Sequence, residues 1–225
     1  MSGWGKFTVA FLAFYGSHMI PARPAVRRRL AAAFGERGYL VIYSLLSIAL
    51  LVWLIAAAAN APHVALWERA LWQNIVPQIV MLPACLLAAF GIGAEGGLSL
   101  GSRKTSPFDP ALPGIAGITR HPLLWALALW SLSHLAPNGD LAHVILFGSF
   151  AASALFGMSA FDQRSRRNMG DADWREVRAS TAFVPFARGL ECRGTDRPWL
   201  RGFIGVGLYL TLLLLHEPLM GLSPT

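Results

Sequence analysis

Six blocks of nearly unbroken apolar sequence constrain this chain more than any single residue does. They run over about 4–20, 39–59, 72–91, 122–136, 141–158 and 202–220. A helix needs about 20 apolar residues to cross the hydrocarbon of a bilayer. Within that hydrocarbon only helices and closed barrels satisfy their own backbone groups. With 55% hydrophobic and 14% charged residues among 225, a soluble domain has no interior large enough for such blocks. The chain is therefore expected to be an all-α, polytopic membrane bundle of about six transmembrane helices, one domain over 1–225. The fourth block is the shortest.

The first block follows Lys6 and could pass for a secretory leader. His18-Met19-Ile20-Pro21-Ala22-Arg23 has no small-residue cleavage pattern, so a retained span is expected. The net charge of +7 does not require nucleic acid, because its distribution has a topological meaning. Of the 19 Lys and Arg residues, 17 fall in the alternate gaps 21–38, 92–121 and 159–201. By the positive-inside rule these gaps are cytoplasmic and both termini are not. Cys85 lies within the third span and Cys192 in the last inner segment, so neither a disulfide nor a thiolate metal site is expected, and Cys85 reads as a packing residue.

Two inner segments are longer than simple connections. Residues 92–121 contain Ser106-Pro107-Phe108-Asp109-Pro110 and Leu112-Pro113-Gly114, which predicts irregular backbone that covers something. Gly91-Ile92-Gly93-Ala94-Glu95-Gly96 matches a dinucleotide fingerprint literally, but it follows a membrane helix rather than a strand, and no nucleotide site is expected. In 159–201, Asp171 or Asp173 is expected to cap a short interfacial helix whose arginines face anionic lipid. Asn138-Gly139 supplies the turn between the fourth and fifth blocks.

Imidazole is costly in hydrocarbon, so the six histidines are the natural candidates for chemistry. His63 and His143 sit at the outer surface and read as interfacial, while His216-Glu217-Pro218 reads as the end of the last span. His18, near Gly16-Ser17, and His121 and His134, at the two ends of the fourth block, remain. On one helix, residues 13 apart are separated by about 20 Å and about 220°, so His121 and His134 need separate partners. Two histidines from different helices are the usual way for a bundle to hold a haem. From position alone, His18 with His121 is the easier pair, since both lie toward the inner face. Arg120-His121-Pro122 is equally a positive anchor opening a helix or an anion and cofactor site at its N-terminus. No HxxxH zinc pair occurs, and the spans carry too few carboxylates for a dinuclear centre.

Several motifs in fixed order carry a resemblance over nearly the whole chain. They are Gly16-Ser17-His18, the run from Phe34 to Ser44, Thr119-Arg120-His121-Pro122 through Leu132-Ser133-His134, Phe147-Gly148, Asp162 to Arg178, Phe183-Val184-Pro185-Phe186 and His216-Glu217-Pro218-Leu219-Met220. The chain resembles NnrU-like membrane proteins, whose plant relatives are the 15-cis-zeta-carotene isomerases. That resemblance implies haem b bound by His18 and His134, and the positional reading keeps His121 as the alternative second ligand. It also implies a bacterial inner-membrane location and a redox-linked role in nitrite and nitric oxide respiration or in isomerising a lipophilic polyene. The isomerases carry a cysteine three residues before the second histidine; here that residue is Ser131. A more distant similarity, through Arg120-His121-Pro122 and Asp162, is to the isoprenylcysteine and phospholipid methyltransferases. It implies S-adenosylmethionine held by Arg120, His121 and Asp162. Leu124 and Ala126 depart from the Tyr and Gly of that motif. A non-catalytic assembly factor for a respiratory complex is the third expectation.

Overall fold

The structure, a computed structural model, describes residues 2–19, 23–102, 107–190 and 192–221. Ile20, Pro21, Ala22, Arg103, Lys104 and Ser106, which entered the leader, charge and loop readings, lie outside the described residues. Among the described residues there are seven α-helices: α1 Gly3–Met19, α2 Pro24–Ala59, α3 Leu71–Gly91, α4 Pro122–Leu135, α5 Leu141–Met169, α6 Asp171–Ser180 and α7 Pro198–Met220. No strand occurs among the described residues.

Among the described residues, four helices are long and apolar enough to cross a bilayer: α2, α3, α5 and α7. Their lipid-facing character is direct, since Leu45, Val52, Phe203 and Leu214 are 63%, 62%, 71% and 75% exposed. So much exposed apolar surface marks a face covered by lipid or by another protein, and the length of these helices fits lipid. Of the six expected spans, α1 has 17 residues and α4 only 14. At 1.5 Å per residue α4 rises about 21 Å, short of the roughly 30 Å hydrocarbon core.

The chain divides into two compact units. The first takes residues up to 68 together with 139–146. In it α1 packs on α2, burying Phe7, Ala10, Leu54 and Ala58. α2 turns at Gly35 (φ 74°, ψ 159°), a conformation essentially reserved for glycine. The basic stretch Arg27–Arg29 therefore has a different axis from the apolar helix that follows. Leu66 N–H donates to Gly139 O at 2.7 Å and Leu141 N–H to Val64 O at 2.9 Å. A side chain at 139 would collide with Trp67, which fits the structural role expected of that glycine.

The second unit takes residues 69–138 and 147 onward. α3 packs on α4 and on α7. Arg201 of α7 donates from Nη1 to the carbonyls of Ala89, Phe90 and Ile92 at 2.9, 3.2 and 2.8 Å, closing the C-terminus of α3. The glycine-rich segment after α3 is irregular, as expected, with one 3-10 turn at Gly114–Gly117. It is also a packed layer: Leu98 and Ala116 join Trp174 and Val177 of α6 in one buried cluster. α6 forms where expected, but its N-cap is Gly170 at φ 90° rather than an aspartate. Asp171 and Asp173 occupy its first turn, where carboxylates favour the helix dipole.

Candidate functional site

The sequence before α4 decides the geometry of the first site. Thr119, Arg120 and His121 leave the 3-10 turn buried, and Pro122 starts α4 at once. The segment 181–186 is clamped against them. Arg120 N–H donates to Ala182 O at 2.7 Å and Phe186 N–H to Ile118 O at 3.1 Å. Thr119 Oγ1 and Trp125 Nε1 both donate to Phe183 O, at 3.0 and 2.9 Å. α5 brings in Asp162 from below.

Arg120, His121 and Asp162, expected together from sequence, do meet. Arg120 Nε and Nη2 donate to the two carboxylate oxygens of Asp162 at 3.2 and 2.9 Å. Its Nη1 donates to Thr181 Oγ1 at 3.0 Å. The guanidinium lies 5.5 Å from the Trp174 ring and 5.7 Å from Phe183. His121, fully buried, places Nε2 2.8 Å from Asp162 Oδ1 and Nδ1 3.0 Å from Ser99 Oγ. Buried charges of this kind persist only when paired and hydrogen-bonded, and these are. The consequence is that both imidazole nitrogens and the guanidinium donors are committed inside the chain.

Ser99 and Thr181 were not among the expected site residues. Gly97-Leu98-Ser99-Leu100-Gly101 is a signal that points to Ser99, being a serine between glycines two residues to either side. Thr181 carries no comparable signal. Beside Ser99 is a pocket of about 10 Å³, room for one water, lined by Glu95, Leu100, Ser102, Ile115, Arg120 and Pro122.

His18 and His134 have a different chemistry, and it is the same at both. His18 Nδ1 lies 2.8 Å from Phe14 O, and Ser17 Oγ donates to that same carbonyl at 2.7 Å. His134 Nδ1 lies 2.8 Å from Trp130 O, and Ser133 Oγ donates to that carbonyl at 3.0 Å. A carbonyl can only accept, so Nδ1 carries the proton in each ring and Nε2 keeps its lone pair. Among the described residues neither Nε2 has a hydrogen-bond partner. Aromatic rings flank both: Phe14 at 4.3 Å and Tyr43 at 5.8 Å from His18, Phe147 at 5.4 Å and Trp130 at 5.7 Å from His134. The repeated pattern aromatic-x-x-Ser-His, Phe14–His18 and Trp130–His134, is visible in the sequence once the structure shows what it does.

The other histidines sit apart from these arrangements. His63 is exposed, and His143 Nδ1 is 2.6 Å from Asp140 Oδ2. His216 lies in the last turns of α7. Ser131 is fully buried and donates to Leu127 O at 2.8 Å. Cys85 is buried in α3. Next to α6, the Arg166 guanidinium holds the Asp171 carboxyl below the usual carboxylate range through a 2.6 Å hydrogen bond.

Among the described residues no three His, Cys, Asp or Glu side chains converge to cage a metal ion. A haem needs no such cage, because the macrocycle supplies four nitrogens and the protein only axial donors. No curated protein and no solved structure matches the chain. The family model described as NnrU protein matches residues 6–224, nearly the whole length, and this multi-pass membrane chain belongs to the NnrU family.

Proposed function

We propose that this NnrU family member is a haem b-binding membrane protein with a redox-linked role, with His18 and His134 as its axial ligands. The observation that carries the reading is the twofold aromatic-x-x-Ser-His arrangement, which fixes each imidazole by Nδ1 and leaves each Nε2 without a partner. Ligating histidines ordinarily have their second nitrogen hydrogen-bonded in this way, because it fixes the tautomer and raises the basicity of the donor. Ser17 and Ser133 share the same carbonyls and hold the last turn around each histidine. The flanking Phe14, Tyr43, Trp130 and Phe147 rings give apolar walls suited to a planar ligand.

His121 is assigned elsewhere, because both its nitrogens are hydrogen-bonded and its side chain is fully buried. The same geometry weighs against S-adenosylmethionine at Arg120, His121 and Asp162, whose donors and acceptors serve one another. When bound, haem supplies one-electron chemistry, and two imidazole ligands suit electron transfer or redox sensing. In this reading the segments 21–38, 92–121 and 159–201 face the cytoplasm, and the redox partner is a respiratory component or a lipophilic compound of the bacterial inner membrane.

The test is the absorption spectrum of the purified protein in detergent. A Soret band that shifts on reduction, with protohaem recovered by extraction, is expected. A colourless protein that takes up no added haemin contradicts the proposal.

A further inference from the structure

The cluster at the mouth of α4 has an order that its structural role does not require. Ser99 Oγ lies 3.0 Å from His121 Nδ1, and His121 Nε2 lies 2.8 Å from Asp162 Oδ1. The tautomer protonated on Nε2 satisfies both bonds: it donates to the carboxylate and accepts from the serine hydroxyl. A hydroxyl bonded to an imidazole that is itself oriented by a carboxylate is the activated-nucleophile arrangement, recognised by geometry rather than chain order. Arg120 pins the carboxylate by two hydrogen bonds, so the imidazole has a fixed orienter.

The local backbone agrees. Ser99 is the centre of Gly97-Leu98-Ser99-Leu100-Gly101, a turn with glycines two residues to either side of the serine that matches G-x-S-x-G in sequence but follows helix α3 rather than a strand. Gly97 and Gly101 have φ of 64° and 75°, and a side chain on Gly101 would strike Leu123. Ser102 closes the turn, accepting from Ser99 N–H at 3.2 Å and donating to the Ser99 carbonyl. The Leu100 amide, which follows the serine and belongs to the residue lining the pocket, donates to no acceptor among the described residues. That is the place where an oxyanion donor is needed.

We infer that Ser99, His121 and Asp162 form a catalytic triad that cleaves a neutral carboxylic ester reaching the mouth of α4 from the lipid phase. The ester class follows from the surroundings. Arg120 has its donors engaged by Asp162 and Thr181, so this guanidinium is not offered to a phosphoryl substrate. Leu100, Ile115 and Pro122 are apolar walls of the pocket beside Ser99, which has room for a single oxygen atom such as the ester carbonyl's and leaves the rest of the substrate outside it. Ser99 Oγ bonds to the acyl carbon as its proton passes to His121 Nδ1. The ester C–O bond breaks and the alcohol leaves with that proton. Water, deprotonated by the same nitrogen, then attacks the acyl-serine, releases the carboxylic acid and restores the hydroxyl. No step involves His18 or His134, so the inference stands apart from haem binding.

The probe is an alkyl fluorophosphonate, applied to the full-length protein in native membranes and followed by peptide mass mapping. Labelling of Ser99 is expected, lost by at least about 100-fold in Ser99→Ala and His121→Gln and retained in Ser44→Ala, at an exposed position on α2. Ser99→Ala removes one hydroxyl and keeps Arg120–Asp162, so its melting curve stays close to that of the parent chain and separates lost chemistry from lost folding. p-Nitrophenyl butyrate turnover should fall in parallel. An unlabelled parent protein, or labelling that persists in Ser99→Ala, overturns the triad.

Discussion

Replacing Asp162 by alanine tests the buried network where it is most exposed to failure. The carboxylate receives three hydrogen bonds, at 2.8, 2.9 and 3.2 Å, from two groups that water barely reaches: Arg120 at 5% exposure and His121 at zero. Removing one member of a buried ion pair costs about 3–5 kcal/mol, because the partner charge stays buried and uncompensated. Asp162 itself is 19% exposed, which admits some water to the vacated position and puts the expectation at the lower end, about 3 kcal/mol. For a chain of this length that is roughly 6–12 °C in melting temperature. Replacing both charges together, Arg120→Met with Asp162→Leu, should recover the part due to the unpaired guanidinium and leave about 1–2 kcal/mol for the His121 nitrogen that has lost its acceptor. Trp174 lies 5.5 Å from the Arg120 guanidinium and is one of eight tryptophans, so the melt in detergent is followed by circular dichroism, with the fluorescence lost on Trp174→Phe taken as the site's own signal. An Asp162→Ala protein melting within about 2 °C of the parent, or a double variant as unstable as the single one, would refute the assignment of this network as the lock on α4.

Other substitutions follow from single features. Gly35→Ala forces a Cβ into φ 74°, ψ 159° and should destabilise by about 1–3 kcal/mol in the same melt, with faster proteolysis between Arg29 and Tyr39. Arg201→Met strips three carbonyl acceptors at the end of α3 of their donor and should cost about 2 kcal/mol, while Arg201→Lys recovers part of it. Asp171 has its carboxyl held low by Arg166, so the stabilisation is present above the unfolded value of about 3.9 and fades as pH falls through the lower folded value. α6 should then loosen on acidification, read by Trp174 emission, and Asp171→Asn should remove that pH dependence.

The apolar blocks were legible because membrane helices must satisfy their backbone internally, and α2, α3, α5 and α7 follow from length and composition alone. α1 and α4 were legible as helices too, but a block's hydropathy does not fix where its helix ends: α4 stops at Leu135 just before Pro137. Arg120, His121 and Asp162 could be named together from sequence, yet that they bond to one another could not, since the contacts join a loop, a helix start and α5 across 41 residues. Ser99 escaped because its neighbourhood reads first as a glycine-rich connection. The capping of α6 was misread for a related reason: Gly170 can take φ 90° where an aspartate cannot do so without strain, and a composition rule favours the side chain over the backbone.

Haem content of three single variants, measured side by side as pyridine haemochrome per mole of purified protein, tests the central claim most directly. His18→Ala and His134→Ala should lose most of their haem, whereas His121→Gln should retain it, because only the first two imidazoles have a nitrogen left to give. Full haem in His134→Ala together with loss in His121→Gln would contradict the account and move the second ligand to the mouth of α4.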